Sequence, residues 1–387
     1  MAIYYAYGDA LVSKDEIYSK VAAGKLQKFQ KDLAGRAENA KLEFRFGTAT
    51  AKNVLRSFVA DPGGQPIGFE PIGIGKPLTV QIRHIYTGNR AQGFWGTKDM
   101  LVASAMKSIS TYDAAPRAVN FLIAKTKNNR NFRTVDATDK GSPLVCYSPA
   151  LAQSSSVVTV EVMFSSFPKE TFDAVSQAFS AAAGVPVFAP ASGYLVAAGI
   201  VTKLLGNIGK SLSDGTPALK QTEEITFVTP GSNVAVPNFA LLLSDAAPPS
   251  LRQDYKVNSK GALARKEDED RLYDGEYPYA VISLDGREND EFKAFAPTAA
   301  SAAQLDKFYN INDGSSQPVG ALVDALKLYN DMKFRDKATN AAEKLKGMDK
   351  NSDEYKNLLA QYNAYMSNIG TKELKPSALP VAISQPG

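Results

Sequence analysis

From Ala174 to Thr202 the chain carries no charged side chain. A run of that length must be buried in the protein's own core, in a partner or in lipid. A membrane-spanning helix needs roughly 20 apolar residues in one unbroken stretch. Pro186 and Pro190 interrupt this one, each removing a helix hydrogen bond and clashing with the preceding turn, and Lys203 closes the remainder early. The pattern instead reads as a strand from Val157 to Phe164, a break at Ser165-Ser166-Phe167-Pro168, a helix, a proline-rich crossover and a second, apolar helix. Small residues recur four apart in that second helix: Gly193 with Ala197, and Ala198 with Thr202 and Gly206. They let a neighbouring backbone approach closely, which in lipid serves dimerisation and in a soluble domain serves tight helix-on-sheet packing. The expectation is a buried core helix.

Around this insertion the chain reads as strands. Leu78–Tyr86, Met100–Met106, Val119–Lys125, Leu144–Tyr147 and Val157–Phe164 are apolar or alternating runs separated by Gly, Asn, Asp, Ser and Pro. No helical pattern intervenes among these five, which points to an antiparallel sheet or sandwich rather than βαβ units. Further strands are expected over Glu224–Thr229, Asn233–Val236, Phe239–Leu243 and Tyr279–Leu284, and Leu42, Phe44 and Phe46 alternate with charges in the same manner. Ser13-x-x-Glu16 is a capping box that starts a helix running toward a stop at Gly35, with Gly24 a weak point inside it. The fold class is therefore α+β: an antiparallel β-sandwich-like core with an inserted apolar helical segment and a C-terminal α-helical hairpin.

The expected organisation is an N-terminal arm and helix (1–40), a β-rich core (41–245) holding the apolar insertion (170–212), and a charged linker or long loop (246–274). A strand and a helix (275–319) then complete the core, before the hairpin (320–370) and a loose tail (371–387). The linker reading rests on RQDYKVNSKGALARKEDEDRLYD, whose composition buries too little surface to order itself alone. The second hairpin helix starts at Ser352 and stacks Tyr355, Leu358, Leu359, Tyr362, Tyr365 and Met366 at i, i+3, i+4, i+7 spacing. Tyr355, Leu358, Tyr362, Tyr365 and Met366 form a one-sided stripe and are the candidate partner-binding residues.

Two residue counts exclude whole classes of chemistry. With one cysteine, Cys146, neither an intramolecular disulfide nor a cysteine-based metal cluster can form. With one histidine, His84, histidine zinc sites are excluded within one chain, and any Ser-His-Asp relay would have to use that residue. Simple alternation puts His84 on the same strand face as Val80 and Ile82, as a hydrogen-bonded core or edge histidine. A net charge of +4 without a face-long basic run predicts no specific nucleic-acid partner. The segment MAIYYAYGDALVSKDE lacks the basic and apolar regions of a signal peptide, so the expected compartment is the cytoplasm.

The remaining motifs are partial. Gly209-Lys210-Ser211 ends like a phosphate-binding loop, making Lys210 and Ser211 candidate phosphate ligands, but Leu204 stands where the first glycine belongs. A helix C-cap explains the same letters. Asp268, Asp270, Asp285 and Asp290 are candidate metal ligands that would converge at one end of a sheet, with calcium as the ion. Otherwise no cofactor is expected. Lys125–Arg133 mixes cations with amides and reads as a mobile basic hairpin tip, while Trp95 reads as a cap on the sandwich end. No GxSxG, HExxH or kinase signature occurs, no catalytic residue is assigned and no small-molecule substrate is identified. The leading expectation is a non-enzymatic interaction or assembly protein working through a protein partner or self-association. A peripheral membrane or lipid-binding module, C2-like in architecture and with calcium as its candidate ion, is the alternative; a carboxylate-based hydrolase or degenerate nucleotide-binding protein is the third reading.

Overall fold

The computed structural model describes residues 2–25, 28–29, 69–90, 92–93, 96–107, 118–134, 141–181, 187–188, 217–229, 234–235, 239–244, 248, 250–292 and 319–376. The apolar helix after Pro190, Lys210, Ser211, Trp95, the strand at 42–46, the helix expected near 298–309 and the final tail lie outside these residues. In chain order the elements are β1 (Ala2–Tyr7), β2 (Ala10–Ser13), α1 (Lys14–Ala22), β3 (Leu78–Tyr86), β4 (Gln92–Gly93), β5 (Gly96–Lys107) and β6 (Ala118–Thr126). Then come β7 (Asn131–Arg133), β8 (Leu144–Ser148), β9 (Ser155–Ser165), α2 (Lys169–Ala181), β10 (Val187–Phe188), β11 (Leu219–Thr226), β12 (Val228–Thr229) and β13 (Val234–Ala235). The last are β14 (Phe239–Leu243), α3 (Leu251–Asp254), β15 (Tyr255–Val257), β16 (Leu263–Arg265), β17 (Tyr279–Asp285), α4 (Val319–Leu345) and α5 (Asp353–Ser367). The chain is α+β, and its named strands pair antiparallel throughout.

Two sheets carry the core. One has the order β2-β1-β14-β17-β3-β7, with β8 also on β3; the other runs β10-β6-β5-β9-β11, with β4 on β5. Period-2 alternation sends one set of side chains between them. Val80, Ile82, Leu242, Ile282 and Leu284 from the first sheet meet Met100, Val102, Phe121, Val160 and Val162 from the second in one buried cluster. The outer face of the second sheet is covered by α2, whose Val175 packs with Leu101, Ala103, Leu122 and Met163.

The outer face of the first sheet is covered by the segment expected to be a linker or a long loop, and the structure overturns the linker alternative. Residues 250–278 fold onto Tyr86, Leu241, Leu243, Tyr279 and Val281 through Leu251, Tyr255, Val257, Leu263 and Tyr273. Five apolar anchors spaced among charges escape a compositional test, yet each buried large side chain contributes roughly 1.5–3 kcal/mol. The charges are used as well: Lys256, almost wholly buried, pairs with Glu269 at 2.8 Å, and Arg252 reaches Glu16 at 2.6 Å and the Leu11 carbonyl at 3.0 Å. The Asn258 side chain closes the β15–β16 turn by accepting from the Lys260 and Ala262 amides. Gly261, at φ +78°, lets that turn lie on the Arg83 side chain.

Helix α1 has the expected capping box, with Glu16 accepting from the Ser13 amide at 2.8 Å. Its first run ends at Ala22, where Gly24 at φ +64° is the expected weak point, residues 28–29 are again helical, and the expected stop at Gly35 lies outside the described residues.

β-Bulges decide where polar groups go. In β3 the pairing with β17 shifts between Ile282↔Ile82 and Val281↔His84, so Arg83 is an extra residue. Alternation is interrupted there, and His84 faces away from Val80 and Ile82, against the expectation. It stacks on Tyr279 at 5.7 Å and its Nε2 lies 2.9 Å from Asn131 Oδ1. A second bulge leaves Asn120 extra in β6. Its side-chain amide donates to the carbonyls of Ser142 and Leu144, at 3.0 and 2.8 Å, and its own carbonyl accepts from the Ser142 amide at 2.8 Å. Asn120 thereby ties the second sheet to β8 of the first.

The tie tolerates no side chain at position 141. A Cβ there would lie 1.9 Å from the Asn120 carbonyl oxygen and 2.6 Å from the Phe121 ring. Gly141→Ala is expected to destabilise the protein by roughly 3 kcal/mol in urea denaturation, whereas Gly347→Ala, with open space around the added Cβ, should lie within about 0.5 kcal/mol of the parent. The buried tyrosines, Tyr86 and Tyr279 under the cover and Tyr5 between the sheets, generate a pH prediction. Burial pushes Tyr86 up to about 12, with the neighbouring Tyr273 and Asp274 adding to it, and burial also raises Tyr279 and Tyr5. A phenol with a raised folded-state pKa contributes stability that is fully present below the unfolded value of about 10 and is lost as pH rises through the folded value. Urea stability should therefore fall between pH 10 and about 12, and tyrosinate absorbance from these rings should appear only with unfolding.

Candidate interaction surface

The hairpin begins as its sequence predicts. Ser352 caps α5 by accepting from the Tyr355 amide at 3.1 Å, and α5 then folds back along α4. Ala338 and Ala341 leave room on α4 for the tyrosine rings of α5. With Leu345 they form one cluster with Tyr355 and Tyr362, each ring only 5% exposed. Leu358 packs against the same cluster. Tyr365 and Met366 bridge it to the sandwich core, with Tyr365 6.4 Å from the Phe334 ring. The stripe proposed as a partner-binding surface is thus the inner face of the hairpin itself. One-sided apolar spacing shows that a helix face is covered without saying what covers it, and here α4 and the sandwich do.

Polar contacts lock this unit to the sandwich. Asn368 donates to the Ala150 carbonyl at 2.7 Å, while within the unit Asp331 of α4 accepts from the amides of Gly370 and Thr371 after α5 at 3.1 and 2.8 Å. Phe334, Ala364 and Ile369 enter the central core.

The two helices differ in length. At 1.5 Å per residue, the 27 residues of α4 span about 40 Å and the 15 of α5 about 22 Å, so α4 extends about 18 Å beyond its partner. Because the two meet at the 345–353 turn, the excess is at the α4 N-terminal end. There, and at the point where α5 ends, the outward side is apolar: Leu328, Tyr329 and Met332 are 45%, 45% and 48% exposed. Their i, i+1, i+4 spacing places them together on one side of the helix. The outward positions that follow, Arg335, Asp336, Thr339 and Asn340, are polar and exposed. Among the described residues the only other exposed large apolar side chain is Val157. Sequence reasoning missed this patch because it sits on α4, whose inner face is lined by alanines and is hard to distinguish from its outer one.

The candidate metal ligands are distributed differently from expectation. Asp285 is fully buried: Oδ2 takes Nε and Nη2 of Arg287 at 2.9 and 2.7 Å, while Oδ1 accepts from the amides of Arg287 and Glu70. Its lone pairs hold the 285–287 turn to the segment at Glu70. Asp268 accepts from the Asp270 amide, and Asp270 lies 3.5 Å from Lys260, both within the cover; Asp290 starts a short 3-10 turn. No group of three or more metal-capable side chains occurs among the described residues. Arg83 is buried close by, donating to Ser283 Oγ at 2.7 Å under the Phe69 ring; desolvation lowers its pKa to about 10, so it stays cationic at neutral pH. The Cys146 thiol is buried, which raises its pKa and keeps it protonated. No helix among the described residues is long and apolar enough to cross a membrane.

No family model matches the chain, and neither the curated proteins nor the solved structures include a match. The assignment of the tyrosine stripe to the hairpin interior has a direct test. Tyr355→Ala and Tyr362→Ala should each lower unfolding free energy by roughly 3 kcal/mol, the scale of removing a buried ring, in a sample dilute enough that association plays no part.

Proposed function

We propose that this is a non-enzymatic interaction or assembly protein of the cytoplasm, and that the N-terminal overhang of α4 is its contact surface for a protein partner. The observation that carries this reading is the exposed Leu328–Tyr329–Met332 patch on a helix that outruns the hairpin it belongs to. Tyrosine and methionine are enriched in interface cores, where a few large side chains supply most of the binding energy. The polar positions after Met332 would form the rim. Lys333 lies 5.4 Å over the Tyr329 ring, so the ring is bordered by a cation that a partner's carboxylate can meet. The rigid base supports the role: Asp331, just before Met332, and Phe334, two residues after it, are anchored, so ordering the contact residues costs little.

Self-association is the case a purified sample decides first. Light scattering across a concentration series should show a mass above the monomer that Leu328→Asp with Met332→Asp returns to the monomer, while the melting curve keeps its midpoint. A parent that stays monomeric at every concentration would transfer the surface to a different protein. Association unchanged in the double variant would remove α4 from the interface.

A further inference from the structure

At one end of the sandwich the connections carry unpaired cations. The chain passes from the second sheet to the first through 127–130, between β6 and β7, beside the turn at 87–90 that leaves β3. These two turns are joined: Asn129 donates its amide to the Gly88 carbonyl at 2.7 Å, Arg130 donates to Thr87 Oγ1 at 2.9 Å, and Thr87 Oγ1 donates to the Lys127 carbonyl at 3.0 Å. Lys125 and Asn129 hold φ of 52° and 53°, the left-handed region that side chains other than glycine seldom adopt. The segment expected to be a mobile tip is thus built into the sandwich, through its backbone and through the side chains of Asn129, Asn131 and Phe132, which meet Tyr86, His84 and the core. Arg90, Lys125, Lys127 and Arg130 are exposed, and Lys98, opposite Thr126 across β5 and β6, is half-buried. Among the described residues none of the five forms an ion pair. Three carboxylates stand nearby. Asp99 is occupied by the amides of Lys125 and Phe167, and Asp274 and Glu276 lie on the loop whose carbonyl at 276 accepts from Asn89.

We propose that this end of the sandwich docks on an anionic lipid bilayer. The carboxylates of the described residues form no ion pair with these cations, and each cation held near an anionic leaflet raises partitioning roughly fivefold. Among the described residues no exposed aromatic side chain adjoins them on which a nucleic-acid base would stack. The cations lie on turns at the end of the sheets, which suits contact with a plane. No exposed aliphatic side chain accompanies them among the described residues, so attachment is electrostatic and weakens with salt. The surface is independent of the α4 patch and needs no calcium.

The test is co-sedimentation of the full chain with phosphatidylcholine vesicles and with vesicles containing phosphatidylserine, each at low and high salt with chelator present. Binding to the phosphatidylserine vesicles alone, lost at high salt, is expected. Lys127→Ala with Arg130→Ala should lower partitioning about twentyfold and leave the fold intact, because both residues use only backbone atoms in the turn network. Asp274→Asn with Glu276→Gln should strengthen binding, and Leu328→Asp should leave it unchanged. Equal binding to both vesicle types, an unaltered Lys127/Arg130 variant, or retention by duplex DNA without retention by vesicles would each overturn the proposal.

Discussion

The first sheet is buried on both faces, and the rest of the architecture follows from that constraint. Every residue of β3 and β17 is buried. An antiparallel sheet in a two-layer sandwich ordinarily keeps one face for solvent; this one does not, so a third layer is obligatory. Residues 250–278 supply it. Removing that cover would expose Tyr86, Tyr279, Val281 and Leu241 together, a patch too apolar for a soluble surface. The arginine of α3 that reaches Glu16 and Leu11 then couples the cover to α1, so the start and the middle of the chain are held in one structure.

Burial on both faces leaves few places for polar side chains, and the bulges manage them. Arg83 and His84 follow the irregularity in β3 and both turn toward the cover side. One meets Ser283 and Phe69, the other Asn131 and Tyr279. The bulge at Asn120 places an amide between the sheets, where two carbonyls use both its hydrogens. A buried amide without those acceptors would cost more than the bonds contribute. The polar residues that invite a catalytic reading, His84 and Asp285 above all, are held in contacts that maintain the fold.

What is left for contact with other molecules lies outside this core. The α4 overhang presents apolar side chains on a fixed helix, and the turns at 87–90 and 125–130 present cations on a backbone held by Thr87 and Asn129. In both places the backbone is committed to the protein while the named apolar or cationic side chains face outward. Such preorganised surfaces lose little entropy on binding.

Much of this was legible in the chain. Apolar runs bounded by turn residues marked β3, β14 and most of β17 to within a residue, Ser13 and Ser352 marked two helix starts, and the absence of a second histidine or cysteine removed whole chemistries. These are local properties: alternation, capping and composition act through neighbours a few residues apart. The partner of each face was not legible. The tyrosine stripe on α5 looked the same whether covered by α4 or by another protein, and the charged segment after Ala246 looked unfoldable because its five anchors find their complement only on a sheet assembled from β1, β14, β17 and β3. The face taken by His84 turned on one extra residue in the pairing of β3 with β17, which no single strand reveals. The sequence by itself determined most of the strands, two helix starts and which side chains must leave water; the tertiary structure decided what each buries against, because that depends on pairings between residues up to 241 positions apart.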